Sequence, residues 1–265
     1  MLEKSNPMAE TVSLEIQDQI ATIYLNRAQA MNTYNEAMAI ELLAHTEALS
    51  FNESVKVVVL RGKGPVFMAG GDIDFFAVKL PTMPQGIRTI IRMLADTIKN
   101  MRQSRQIYIA AVHGAVAGAG LSLMLACDLV LADPKTIFTT AYNRLGTSPD
   151  GGLSYFLPKL IGDKKAMELL LLSERLSAKD WLSLGLINAI SDQGGLELKL
   201  QEWQRKLLGF SSYSSAHIKA LIYQSHEASF DRQCELEAHC FLASVQTDFF
   251  KKGVQSFIEK RTIET

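Results

Sequence analysis

Cysteine is scarce in this chain of 265 residues, with three in all: Cys127, Cys234 and Cys240. Their odd number and unpaired spacing argue against a disulfide framework and are typical of a protein from a reducing compartment. His239 stands next to Cys240, and side chains of adjacent residues are poorly placed to bind one metal ion. We therefore predict neither disulfides nor a metal site.

Long apolar segments and a strong net charge are also missing. No stretch reaches the roughly 18–20 continuous apolar residues of a membrane-spanning helix, and residues 1–7 lack the apolar core of a signal peptide. A net charge of −1 gives no general attraction to nucleic acid or to anionic membranes. We expect a cytoplasmic protein that binds neither nucleic acid nor membrane, with a flexible N-terminal tail over residues 1–11.

The composition is that of a folded soluble protein, with 48% apolar and 21% charged residues. The apolar residues alternate between the period of strands and that of helices, which indicates an α/β core. Strands are predicted over residues 12–17, 20–25, 55–61, 107–112 and 128–132, and helices over 35–51, 86–102 and 121–127. Helical patterns over 200–210, 214–225 and 230–250 follow. We predict an α/β core over 12–195 that carries the functional site, and a helical part over 196–265.

Two glycine-rich segments, residues 65–74 and 110–120, stand out within this core. Each follows an apolar strand, consists largely of small residues and leads into a predicted helix. Small residues let a ligand approach the backbone, and unpaired N–H groups at the start of a helix attract negative charge. Either segment alone is better explained as a tight turn in a buried core. Two such turns facing one point would instead hold an oxyanion between two N–H donors.

Together the two segments resemble the crotonase superfamily of enoyl-CoA hydratases and isomerases. The first reads FMAGGDI over residues 67–73, like the family's F-x-A-G-x-D-[IL], and the second, over 111–120, fits A-x-x-G-x-x-x-G-[GA]-G. Further similarity lies in LNR at 25–27, LGTSPDGG at 145–152, LSAKD at 176–180 and the closing segment 247–261. The resemblance extends from about Val12 to Arg261, which is nearly the whole chain.

The resemblance implies a spiral of ββα turns with a helical C-terminal part, and a site for an acyl-CoA thioester. It assigns the two N–H donors for the thioester oxygen to Gly71 and Ala119; the family usually has glycine at the second place, but alanine keeps the N–H. The residues aligned with substrate contacts are Arg27, Ala30, Met68, Ala69, Gly71, Asp72, Ile73, Ala119, Ser122, Tyr142 and Lys260. Coenzyme A enters as part of the substrate, so we expect no separate cofactor. The resemblance also implies a homotrimer or a dimer of trimers.

The reaction type depends on the side chains near these donors. Hydratases of the family carry two glutamates, and this chain has Ser122 and Tyr142 at those positions. Neither replaces a carboxylate as general acid or base near neutral pH. The aligned carboxylate is Asp150, in an SPDGG sequence that resembles the ring-opened phenylacetyl-CoA isomerases. A competing interpretation is that Asp150 is only the N-cap of a following helix.

Four interpretations of the function remain open at this point. We favour an enoyl-CoA isomerase in which Asp150 moves a proton between carbons of the acyl chain. The absent glutamates count against a hydratase. Dehalogenation or thioester hydrolysis with Asp150 as nucleophile is disfavoured, because the family's dehalogenases have tryptophan where this chain has Tyr142. The fourth is an acyl-CoA binder without activity, which turnover of a 3-enoyl-CoA would exclude.

Overall fold

The computed structural model describes the backbone of residues 10–264 and the side chains of residues 10–259. Its strands are β1 Val12–Gln17, β2 Ile20–Leu25, β3 Val57–Gly62, β4 Ile107–Val112, β5 Ala115–Ala117, β6 Leu129–Ala132, β7 Ile137–Thr139, β8 Leu176–Ser177 and β9 Ala189–Ile190. Its helices are α1 Glu36–Ser50, α2 Ile73–Lys79, α3 Gln85–Gln103, α4 Ala119–Ala126, α5 Leu153–Leu172, α6 Ala178–Ser183, α7 Leu196–Leu208, α8 Ser212–Gln224, α9 Phe230–Val245 and α10 Asp248–Glu264. The predicted α/β class is confirmed.

The described strands form two sheets that the chain visits in turn. The larger has the order β1-β2-β3-β4-β6-β9 and is parallel except for the β1–β2 hairpin, and the smaller has the order β5-β7-β8. The chain passes from β4 through β5 to α4, and then from β6 through β7 to α5. These are successive ββα turns of a spiral, as predicted. Because β5 and β7 are parallel, the segments that follow them leave the smaller sheet at the same edge.

The central strands are buried on both faces, which explains their continuous apolar sequence. On one face Val57, Val59 and Ile109 pack against Leu200 of α7, while on the other Val58 joins the main core. β-branched residues suit such strands because their side chains pack well on a pleated surface. The core therefore fixes the strands whose ends carry the two glycine-rich loops.

The prediction of a flexible tail over residues 1–11 is wrong for its last two residues. Residues 1–9 lie outside the described part, but Glu10 and Thr11 are held in place. The Thr11 hydroxyl donates to Glu41 Oε2 over 2.6 Å, and Asn26 donates through its backbone to Thr11 O and through its side chain to Glu10 O. These bonds extend the edge of the β1–β2 hairpin by two residues.

Helices follow one another without an intervening strand from Leu196 to Glu264, as predicted for the C-terminal part. The helix predicted over 230–250 is in fact two helices, because α9 ends at Val245 and α10 begins at Asp248. Thr247 causes the break, since its hydroxyl accepts a hydrogen bond of 3.3 Å from Phe250 N and so caps the start of α10.

A buried ion pair joins α8 to the core. Lys219 Nζ lies 2.9 Å from Asp128 Oδ2 and also donates to the carbonyl oxygens of Met101 and Gln106. The Tyr223 hydroxyl donates to the other carboxylate oxygen of Asp128. A buried charge is tolerated only when it is paired and hydrogen-bonded in this way. These bonds therefore fix the position of α8 on the core.

The outer C-terminal helices are much less covered than the core. None of the side chains of α9 is fully buried, and Phe230, Phe241 and Leu242 of α9 and Phe249 of α10 are exposed. Within the described residues, no helix combines the length and apolar character that crossing a membrane requires.

Candidate active site

The first glycine-rich loop is held by Tyr34 in a way that exposes one peptide N–H. Tyr34 N donates to Gly70 O over 2.8 Å, and Asp72 N donates to Tyr34 O over 3.0 Å. These bonds use the peptide groups on either side of Gly71 and turn its own N–H the opposite way. Among the described residues, the Gly71 N–H has no acceptor.

The second loop turns sharply at Gly118, and α4 begins at the next residue. Gly118 has a φ of 49°, in a region that residues with a side chain rarely adopt. Ala119 is therefore the first residue of α4, where an N–H has no partner within the helix. No other described residue accepts a hydrogen bond from it. Since Ala119 is itself helical, its methyl group causes no backbone strain, and the departure from the family's glycine leaves the donor in place.

The two loops touch at their glycines. A Cβ built on Gly118 would lie 3.3 Å from the Cα of Gly70, which is tighter than ordinary packing allows. The two N–H groups, of Gly71 and Ala119, each belong to the residue directly after one of these glycines. The structure therefore places Gly71 and Ala119 directly after the point where the two loops touch, and the service of their N–H groups as oxyanion donors stays a prediction.

The Phe76 ring packs against the first loop. A Cβ built on Gly71 would lie 2.7 Å from Cζ of the Phe76 ring, so the ring occupies the space that any larger residue at position 71 would need. Phe76 is half-buried and belongs to α2, directly after the first loop. The ring therefore lies against the Cα side of Gly71.

Asp72 and Arg27 hold the first loop in place. Asp72 Oδ1 accepts a hydrogen bond of 3.0 Å from Phe75 N at the start of α2, and Asp72 Oδ2 lies 2.7 Å from Arg27 Nη2. Burial alone would raise the pKa of Asp72, but the Phe75 N–H and the Arg27 guanidinium outweigh it, so this pKa lies below its usual value. Arg27 also donates to Thr33 O. Both side chains thus support the loop, and their contact with a substrate stays a prediction.

The carboxylate of Asp150 lies next to the second loop. Its Oδ1 accepts a hydrogen bond of 2.7 Å from the Tyr142 hydroxyl. The Tyr142 ring in turn lies against Gly118, with Cζ 4.0 Å from a Cβ built there. The following helix, α5, has Gly152 as its N-cap and no side-chain hydrogen bond at the cap. The interpretation of Asp150 as a helix cap is therefore wrong, because its carboxylate points to Tyr142 instead.

Burial sets the proton affinity of the groups around Asp150. It raises the pKa of Asp150 above its usual value, and the hydrogen bond from Tyr142 offsets part of this rise. Burial and then the Asp150 charge raise the pKa of the Tyr142 hydroxyl far above its usual value, so Tyr142 stays a donor. The pKa of Tyr34 is raised by the same two causes, which places this residue near the same carboxylate. No motif pointed to the side chain of Tyr34.

Ser122 supports Asp150 from the opposite side. It is fully buried, and its hydroxyl donates a hydrogen bond of 2.9 Å to the backbone oxygen of Asp150. Gly151 packs directly on it, since a Cβ built on Gly151 would lie 2.7 Å from Ser122 Cβ. Ser122 thus fixes the backbone of the turn, while Tyr142 fixes the carboxylate.

The remaining predicted contact residues differ in where their side chains lie. Met68 is fully buried and packs against Gly120, and its contact with a substrate stays a prediction. Ala30 and Ala69 are half-buried, and Ile73 is exposed. The side chain of Lys260 lies outside the described residues.

Comparison with known proteins identifies the family. Residues 15–264 match the family model of the enoyl-CoA hydratases/isomerases. The Bacillus subtilis protein YhaR, whose name assigns it to the enoyl-CoA hydratases/isomerases, is 31% identical over 242 residues, 91% of this chain and 93% of the relative. The 1,2-epoxyphenylacetyl-CoA isomerase of Escherichia coli is 28% identical over 258 residues, 96% of this chain and 98% of the relative. The crystal structure of an enoyl-CoA hydratase from a Polaromonas species has a TM-score of 0.89 at 29% identity, covering 94% of this chain and 97% of the other.

The match spans all the elements that build the two loops and the Asp150 turn. The relatives of this chain carry the names of hydratases and of isomerases. What they share is therefore the handling of an acyl-CoA thioester rather than one reaction. The chain is a member of the enoyl-CoA hydratase/isomerase family.

Proposed function

We propose that this protein is an enoyl-CoA isomerase that moves the double bond of a 3-enoyl-CoA to the 2-position. The observation that carries the proposal is the support of Asp150 by Tyr142 and Ser122. By the resemblance, these two residues stand where hydratases of the family carry their glutamates; here Tyr142 binds the carboxylate of Asp150 and Ser122 binds its backbone oxygen. Isomerisation needs one base that returns the proton it removes, whereas hydration must also activate and add a water molecule.

In the proposed reaction the thioester oxygen is bound by the N–H groups of Gly71 and Ala119. Asp150 removes a proton from C2 of the acyl chain, and the electron pair moves into the carbonyl group to give a dienolate. The protonated Asp150 then returns the proton to C4, so the double bond comes to lie between C2 and C3. No atom enters or leaves, and coenzyme A takes part only as a portion of the substrate. The peptide donors stabilise the negative oxygen because they are fixed before the charge develops.

The raised pKa of Asp150 fits this role. A carboxylate with the usual pKa near 4 is a weak base and returns a proton readily but removes one slowly. Burial moves the pKa of Asp150 upward, towards neutral pH, where removal and return are better balanced.

The proposal is tested with 3-hexenoyl-CoA and 2-hexenoyl-CoA, with products identified by mass spectrometry and chromatography. We expect interconversion of the two esters without gain of water. Rapid formation of 3-hydroxyhexanoyl-CoA from the 2-enoyl ester would favour a hydratase. Tight binding of both esters without any product would favour the binder without activity.

Tyr142→Phe should shift the pH dependence of the isomerase. The Tyr142 hydroxyl stabilises the ionised form of Asp150, so its removal raises the pKa of Asp150 further. Activity depends on ionised Asp150, and the acidic limb of kcat/KM should therefore move to higher pH in the variant. The measurement is a pH profile of 3-enoyl-CoA turnover.

Tyr24→Phe is the matched control for that experiment, because Tyr24 lies on β2 and makes no contact with Asp150. The control should leave the profile unchanged. A Tyr142→Phe profile that coincides with that of the unmodified protein would mean that the hydrogen bond does not tune the base.

We also propose that the helical C-terminal part assembles the chain into a trimer or a dimer of trimers. Support comes from the large apolar side chains that α9 and α10 leave exposed, among them Phe230, Phe241, Leu242 and Phe249, since exposed apolar surface often marks an interface. Light scattering at micromolar concentration should give a mass of three or six chains, and Phe241→Asp should lower it. A single-chain mass for the unmodified protein would contradict the proposal.

A further inference from the structure

A cavity separate from the candidate active site is lined by the turn that follows Asp150. Its volume is 690 Å³, and its walls come from α3, the turn at Gly151 and Gly152, the start of α5, and α8. Most of the wall is apolar or aromatic, with Ile98, Phe156 and Tyr223 among the lining residues. Neither Gly71, Ala119 nor the Asp150 side chain lines it, so this cavity is separate from the site of the proposed reaction.

Arg102 is the unusual residue of this cavity. Its guanidinium carbon lies 3.6 Å from the centre of the Tyr223 ring and 5.0 Å from that of Phe156. Among the described residues, no carboxylate pairs with it and no acceptor takes a hydrogen bond from it. By contrast, the half-buried Arg27 is paired with Asp72 over 2.7 Å. A guanidinium carries five N–H donors in a planar fork, and here two aromatic rings fix it while these donors lack a protein partner.

The charges around the cavity do not balance. Lys99, Arg102, Arg105 and Lys219 line it, and the acid on the same wall is Glu227, which accepts a hydrogen bond from the Tyr155 hydroxyl. Lys219 is balanced by Asp128, but no described carboxylate lies within salt-bridge distance of Lys99 or Arg105. The positive charge of Arg102 also contributes to lowering the pKa of Lys219, after the larger effect of burial, so the two cations lie near each other. An anion in the cavity would relieve this excess.

We propose that the cavity binds an organic carboxylate with an apolar or aromatic body. The carboxylate accepts two hydrogen bonds from the Arg102 guanidinium, which matches its geometry, and the body packs on Ile98 and the ring of Phe156. A neutral ligand would leave Arg102 without a partner, and a small inorganic anion would leave the apolar wall uncovered. The chemistry of the wall thus favours a ligand that is both charged and apolar.

The position of the cavity links its ligand to the catalytic turn. Gly151 and Gly152 lie on its wall, and Gly151 directly follows Asp150 and packs on Ser122. A ligand pressed against this wall therefore reaches the backbone that Ser122 holds. We expect a ligand bound in this cavity to change the KM or kcat of the proposed isomerase. The binding of the ligand can be measured whether or not the protein turns over a substrate.

The test is calorimetric titration of the intact protein with octanoate, and with octanamide as the neutral probe of the same shape. Octanoate should bind and octanamide should bind at least about tenfold more weakly, because a hydrogen-bonded charge is lost. Arg102→Gln should weaken octanoate binding by about tenfold or more, and Arg102→Lys should weaken it less because the charge remains. Arg92→Gln is the matched control, since Arg92 lies on the same helix but does not line the cavity.

A second arm separates this cavity from the site of the thioester. Octanoate should still bind when butyryl-CoA, which has no double bond to move, is present in excess. Displacement by butyryl-CoA would mean that octanoate occupies the thioester site. Equal binding of octanoate and octanamide, unchanged binding in Arg102→Gln, or no binding to the unmodified protein would each overturn the proposal. These outcomes do not depend on whether the enzyme proves to be an isomerase.

Discussion

Replacing Asp150 with asparagine should abolish 3-enoyl-CoA isomerisation while leaving the fold intact. Asparagine keeps the size of the side chain and can still accept the hydrogen bond from Tyr142, but it cannot take a proton. Loss of a general base lowers turnover by about 10²–10⁴-fold. The measurement is kcat for 3-hexenoyl-CoA together with the dissociation constant of a saturated acyl-CoA, which should stay close to that of the unmodified protein.

The melting temperature of this variant should not fall. The folded-state pKa of Asp150 is raised above its unfolded value, so ionisation of this group opposes folding. Its stabilising contribution is present below the unfolded pKa and is lost as the pH rises through the folded pKa. Near neutral pH, asparagine removes a buried charge, and the variant should melt at the same temperature as the unmodified protein or slightly above it.

Asp180→Asn is the matched control, because Asp180 does cap a helix. Its carboxylate accepts hydrogen bonds from Ser177 N and Ser177 Oγ in a reciprocal capping arrangement at the start of α6. This variant should lower the melting temperature and leave turnover unchanged, which is the reverse of the expectation for Asp150→Asn. If Asp150→Asn retains turnover and melts early, our assignment of the base is wrong.

Replacing Ala119 with proline should reduce turnover by about 10²–10³-fold, the usual cost of removing one oxyanion donor. Proline lacks the N–H, and its ring also occupies part of the space beside it. Position 119 is the first residue of α4, where proline fits the helix without breaking a hydrogen bond. The variant should therefore fold, which circular dichroism and its melting curve will check, and the loss should appear in kcat.

Ala119→Gly is the control for that variant, since it changes the side chain and keeps the N–H. It should retain most of the turnover. If proline and glycine at position 119 have equal effects, the peptide N–H of this residue does not bind the substrate oxygen. If kcat is unchanged in both variants, Gly71 is the next donor to test.

Local patterns were sufficient to predict five strands of the larger sheet, but not the two-residue β9 at its edge. β1 and β2 alternate in polarity and β3 and β4 are continuously apolar, and the structure confirms a hairpin next to buried parallel strands. The smaller sheet was missed because its strands have two or three residues, too few for a period to be visible. The prediction of one helix over 230–250 failed because both sides of Thr247 are helical in pattern, and only the cap of α10 marks the break.

The candidate site was predictable where the backbone is the functional group. A glycine that must approach another glycine leaves a trace in the sequence, and Gly70 and Gly118 both belong to recognised motifs. Side-chain direction leaves no such trace. Asp150 precedes a helix and looks like a cap, and only the structure shows that its carboxylate binds Tyr142. Tyr34 reaches the site through hydrogen bonds to residues far from it in the chain, which periodicity does not reveal.

The contact between Gly70 and Gly118 holds the backbone part of the candidate site, which is independent of the side chains that surround it. The groups that would bind the substrate oxygen are peptide groups, present whatever side chains surround them, and close packing of two glycines keeps them together. The residues that would decide the fate of the enolate are Ser122 on α4, and Tyr142 and Asp150 in the segment between β7 and α5. A change of reaction type would therefore act at these few side chains, while the peptide donors stay the same. A fold arranged in this way is well suited to giving rise to enzymes of different reaction type from one inherited substrate site.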